Sequence, residues 1–119
     1  MALKLSPDML EAAYDLLQAT PPFRGWKLPS SDDIAFSVAR FDTHLGDYNL
    51  VNNVHHIRIS ARGVAHIDTL IRIMGHEMIH LYQEIHGLSN KNQHNADFTR
   101  RAKTVCRVHG NFDPGLFCG

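Results

Sequence analysis

"IMGHEMIHLYQEIHG", residues 73–87, decides how this chain folds and what it can hold. Apolar residues recur in it every three or four positions, the spacing of one face of an α-helix, while three histidines fall elsewhere. His76, Glu77 and His80 make an H-E-x-x-H pattern. Residues four apart on a helix sit about 40° apart around the axis and one turn apart along it, so both imidazoles can reach one ion.

The helical period extends from about His66 to His86, and Gly87 is its natural C-terminal stop. Ile67, Leu70, Ile71, Met74, Met78, Leu81, Tyr82 and Ile85 fall on a single broad stripe that is expected to face the core. His76 and His80 lie opposite it, so a helix that buries this stripe would present them to a cleft. Zinc lowers the pKa of a bound water to about 7. A glutamate at the edge of that cleft, Glu77, is then placed to take the proton and later deliver it to a leaving amine.

A third ligand has several candidates. His86 reproduces the spacing H-E-x-x-H-x-x-G-x-x-H, but Gln83 stands where the glycine turn is needed. Without that turn the helix carries His86 about 9 Å along the axis from His80 and about 120° around it. After Glu84 there is no further glutamate, and Asp97 and Asp113 are the remaining acids. His94 follows Gly87 and the polar loop "LSNKNQ", a length that can fold a second helix back against the first and bring its first turn beside His80. The spacing favours His94, with His109, Asp97 and His86 as alternatives. Three protein ligands and an open fourth position would describe a catalytic zinc site.

Upstream, "SPDMLEAAYDLLQATPP" reads as a helix with Ser6 as N-cap, Pro7 in its first turn and Met9, Leu10, Ala13, Leu16 and Leu17 inward, stopped by Pro21 and Pro22. Trp26, in the loop "FRGWKLPSS", is expected to plug the core rather than form a lid. From Ile34 the period changes to two: "IAFSVARF", "GDYNLV" and "HHIRISA" read as three strands, with Ile57 and Ile59 inward and a turn at Asn52-Asn53. A small antiparallel sheet is expected. The last helix runs from about Asn95 to Val108, with Phe98, Ala102, Val105 and Cys106 inward. The fold class is α+β, one zincin-like domain over residues 1–119.

Nine histidines in 119 residues are the compositional anomaly; with zero formal net charge, the chain as a whole has no pull toward nucleic acid or anionic membrane. Acidic Asp8 and Glu11 interrupt any signal-peptide-like run, so a cytoplasmic monomer is expected. Cys106 and Cys118 form no C-x-x-C pair, which excludes a zinc ribbon among these residues and leaves two free thiols as the expectation.

"HEMIHLY" followed after a loop by "HNADF" resembles the SprT-like (Spartan-type) metalloprotease family, whose active-site helix reads H-E-(apolar)-x-H and whose third zinc ligand opens H-G-x-x-F/W. The resemblance implies one zinc ion held by His76, His80 and His94, with Glu77 as catalytic base, in a metallopeptidase that cleaves protein or peptide substrates. Asn95 stands where the family has glycine; asparagine is among the residues that accept left-handed backbone angles. The chain reads as a minimal core without the four-cysteine ribbon of bacterial relatives. Spartan-type members act on proteins bound or crosslinked to DNA, and Lys91, Arg100, Arg101, Lys103 and Arg107 form a basic segment that can contact phosphate. Two other readings stand beside it: a peptidase with one dedicated protein target and no DNA role, which the neutral charge would suit, and a zinc-binding interaction domain with little peptidase activity.

Overall fold

The computed structural model describes residues 4–64 and 66–109; Asp113 and Cys118 lie outside them. Helix α1 spans Pro7–Gln18, and the side chain of Ser6 accepts the Met9 N–H at 3.3 Å, the N-cap expected of it. Its buried face is Leu10, Ala13, Tyr14 and Leu17. Leu16, expected inward, is 56% exposed. Tyr14 takes its place in the core because it lies one helical turn after Leu10, and its hydroxyl has a distant acceptor, donating to Pro29 O at 2.6 Å.

Three strands follow: β1 Ile34–Ala39, β2 Gly46–Val51 and β3 Val54–Ser60. Asn52 and Asn53 join β2 to β3 with φ of 51° and 63°, the two left-handed residues that a two-residue hairpin turn demands. This pair is antiparallel, with Tyr48 opposite Ile57 and Gly46 opposite Ile59. The expectation of a wholly antiparallel sheet fails at β1, which runs parallel to β3 with Ile34 opposite His55. The order is β1-β3-β2, a mixed sheet.

The cause lies in residues 40–45, which carry the chain around the end of β3 instead of turning it straight back. Ser60 N donates to Leu45 O and Ala61 N to Ala39 O, each at 2.8 Å, and Ser60 Oγ donates to Phe41 O. Stepping across one intervening strand needs about 10 Å, well within the reach of six residues. The centre then goes to β3, whose Ile57 and Ile59 are fully buried. That leaves β2 as an edge.

Helix α2, Ile67–Ile85, packs against α1, β2, β3 and the last helix, α3, Ala96–His109. Leu70, Met74, Met78 and Leu81 are buried as the stripe requires, but Ile67 and Ile85, its first and last residues, are 64% and 40% exposed. Ile73 and Ile79, outside the stripe, are buried because the sheet and α3 cover further sides of the helix. Trp26 does plug the core, packing edge-on against Phe23 with ring centroids 4.9 Å apart and 5.0 Å from Tyr82. Cys106 is buried on the inner face of α3. No helix among the described residues is long and apolar enough to cross a membrane.

Gly87 ends α2 as expected. It sits at φ +68°, Leu88 N donates to Gln83 O at 2.8 Å and Gly87 N to Glu84 O at 3.3 Å, the paired bonds of a Schellman motif. No neighbour would obstruct a Cβ there, so the cost of a side chain is conformational. Gly87→Ala should lower unfolding free energy by about 1 kcal/mol in urea denaturation; an unchanged midpoint would mean that the left-handed turn is not fixed.

Candidate metal centre

Three histidine rings meet where α2 faces the start of α3. His80 Nε2 lies 3.3 Å from His76 Nε2, His94 Nε2 lies 3.2 Å from the same atom, and all three ligand atoms fall within 4.8 Å of one another. A tetrahedral zinc with bonds of about 2.05 Å spaces its ligand nitrogens about 3.3 Å apart, so the donor set fits such an ion. His76, His80 and His94 therefore form a cluster that could hold a metal, the only such group of His, Cys, Asp and Glu among the described residues.

Phe98 is the platform for the cluster. Fully buried one helical turn after His94, it lies 4.9 Å from His76, 4.6 Å from His80 and 4.7 Å from His94, centroid to centroid. A flat apolar ring beneath three imidazoles limits the directions in which their nitrogens can point. Burial pushes the His80 imidazolium down to about 3, with the charges of His76 and His94 adding to the effect, and burial also lowers His94. At neutral pH His80 and His94 are thereby kept neutral, the form that a metal requires of its imidazole donors.

Glu77 stands beside the trio at 3% exposure. Burial, with the charge of Asp47 adding to it, raises its carboxyl to about 8. Its Oε2 lies 3.1 Å from where a Cβ on Gly46 would sit, and Ile73 Cγ2 would be only 2.8 Å from that point. Gly46, the first residue of β2, thus lets the edge strand approach the H-E-x-x-H helix. This role was hidden in the sequence, where Gly46 only opens the strand "GDYNLV".

The cleft holds about 840 Å³ and is lined on one side by β2 from Gly46 to Leu50 and on the other by Arg72, Ile73, His76, Glu77, His80, Gln83 and Glu84 of α2. Asp47 on its rim feels burial that opposes ionisation, but hydrogen bonds from Arg58 and His44 hold its carboxyl below the usual range. Tyr48 also lines it, with its hydroxyl 2.6 Å from His55 Nδ1. Tyr82 instead lies among Trp26, His86 and the Arg101 guanidinium.

The other candidates sit elsewhere. His86 caps α2, exposed, its ring 4.2 Å from that of Tyr82. Asp97 accepts from Gln83 at 2.9 Å and from Arg101 at 3.0 Å, and His109 packs toward Phe23. Asn95 takes no left-handed angle: it caps α3, its Oδ1 accepting the Phe98 N–H at 2.9 Å.

The SprT-like family model matches residues 14–116. The chain belongs to the SprT-like family. Members of the SprT-like family are generally zinc metallopeptidase-like domains and typically bind zinc. No curated protein matches the sequence. The match spans α2 and α3, so the SprT-like assignment and the histidine cluster rest on the same part of the chain.

Without metal, Glu77 makes stability pH-dependent. Its folded value near 8 exceeds the ordinary 4.5, so the folded state keeps a proton that the unfolded state has lost, and stability falls as pH rises through this window. His80, lowered from 6.5 to about 3, acts in the opposite sense below 6.5. His94 and His109, also lowered by burial, act with His80, and only between about pH 7 and 8, where unfolded histidines have largely lost their protons, does the Glu77 effect outweigh them. Thermal melts of the metal-free protein should fall across that range, and Glu77→Gln should flatten the fall; parallel curves for the two proteins would contradict the assignment.

Proposed function

We propose that this chain is a zinc-dependent metallopeptidase in which His76, His80 and His94 hold the ion and Glu77 is the general base. The observation that carries this reading is the convergence of three imidazole nitrogens within 4.8 Å of one another, next to a buried glutamate in an open cleft. When bound, zinc supplies a Lewis acid that acidifies water and polarises a carbonyl. Glu77 takes the proton of the attacking water at its carboxylate and returns it to the nitrogen of the departing amine. Loss of that proton makes the nucleophile, and its delivery to the nitrogen lets the amine leave.

Substrate binding follows from the sheet. β2 pairs only with β3 and forms one wall of the cleft, so an extended peptide can join its outer edge through main-chain hydrogen bonds. A peptide paired in this way would carry its scissile carbonyl between the edge strand and the histidines. We extend the proposal to proteins associated with or crosslinked to DNA, on the support of exposed Lys91, Arg100, Lys103 and Arg107 along one segment. Arg100 bonds Asp97 but stays exposed, whereas Arg101 contributes less to such a surface, because it is half-buried and lies over the Tyr82 ring at 4.1 Å.

The test is cleavage of an unstructured protein by the zinc-loaded enzyme, with and without single-stranded DNA. Glu77→Gln should retain zinc and lose at least about 100-fold in rate, the scale of a general base. Stimulation by DNA would support the DNA-associated substrates, and its absence would favour one dedicated protein target. Stoichiometric zinc with no cleavage of any substrate would overturn the peptidase reading in favour of an interaction domain.

A further inference from the structure

A polar clamp joins the end of α2 to the start of α3, outside the three histidines. Gln83 is 1% exposed, and its Nε2 donates to Asn95 Oδ1 at 3.0 Å and to Asp97 Oδ2 at 2.9 Å. Asn95 Nδ2 donates in turn to Leu88 O at 3.2 Å, and Leu88 N donates back to Gln83 O at 2.8 Å. The three residues close a ring of hydrogen bonds that fastens both ends of residues 88–94. His94 is the last residue of that segment and immediately precedes Asn95.

We propose that Gln83 is a positioning residue for His94: through Asn95 and Asp97 it fixes where the third imidazole stands before metal arrives. This rests on the reading of His94 as a ligand. The orientation of every amide in the ring is set by its partners. Asn95 Oδ1 already accepts the Phe98 N–H, so its amide cannot turn over without losing the helix cap, and Asp97 is held by Arg100 and Arg101. Both N–H groups of the Gln83 amide are used, which accounts for a buried glutamine at the centre of a helix contact. His94 itself is the exposed member of the trio and follows a polar loop, so its placement depends most on fixed anchors. His76 and His80, one turn apart on a single helix, need no such help.

A double-mutant cycle separates positioning from general support of the helix pair. Zinc dissociation constants are measured for the parent protein, Gln83→Met, His94→Ala and the double variant, with cobalt absorption spectra as a second readout of ligand geometry. Gln83→Met should weaken zinc about tenfold, at the low end of what loss of an outer hydrogen bond costs a metal site. In the His94→Ala background the same change should cost nothing further. Asn95→Ser, which retains a capping oxygen but loses both amide bonds, should reproduce the loss if Gln83→Met fails to fold. Equal losses in both backgrounds, or no loss in the parent, would overturn the proposal. If His94→Ala alone left zinc affinity intact, the ligand reading would fail instead, and this inference with it.

Discussion

The bond from Leu88 N–H to Gln83 O closes the turn at Gly87 and, with it, the site. A helix has no internal reason to stop after His86, and if it continued, the next residues would move away from His80 at about 1.5 Å each. The left-handed residue at Gly87 satisfies the last carbonyls of α2 and sends the chain back, so that α3 begins beside the helix that it follows. His94, Phe98 and the Gln83 contacts all lie downstream of that reversal. The histidine cluster belongs to neither helix alone; it is a property of the angle between them.

Around that contact the protein gathers polar groups where burial is unfavourable to their charged forms. His80 is driven to the neutral state by burial, and Glu77 is driven toward its protonated one. Both shifts come from packing a helix against a sheet, a second helix and a third, leaving one strip open to the cleft. A divalent cation held by the histidines would keep the imidazoles neutral and reverse only the Glu77 half, favouring an ionised carboxylate. Gly46 permits the approach: no side chain holds β2 off from Ile73 and Glu77.

Much of this was legible in the sequence because it is local. Ser6 and Gly87 mark helix ends by chemistry acting within a few residues, and the 3.6-residue period placed Leu70, Met74, Met78 and Leu81 in the core. "HNADF" resembled the partner of "HEMIHLY", and the structure brings His94 and Phe98 to His76 and His80. What stayed hidden depends on distant partners. Tyr14 is buried because Pro29 accepts its hydroxyl, and Gln83 is buried because Asn95 and Asp97 await it. Strand order was hidden too: alternation identifies strands, but the wrapping of residues 40–45 around β3 decides which neighbours pair, and it made β1 parallel. Asn95 misled by its tolerance of left-handed angles, when its capping oxygen was the feature in use.

The central claim, that the reversal at Gly87 makes His94 and not His86 the third ligand, is tested most directly by zinc affinity. Calorimetric titration of His94→Ala and His86→Ala, each folded by circular dichroism, should show a loss of at least about 100-fold in the first and parental affinity in the second. Intact binding in His94→Ala together with its loss in His86→Ala would contradict the account at its root.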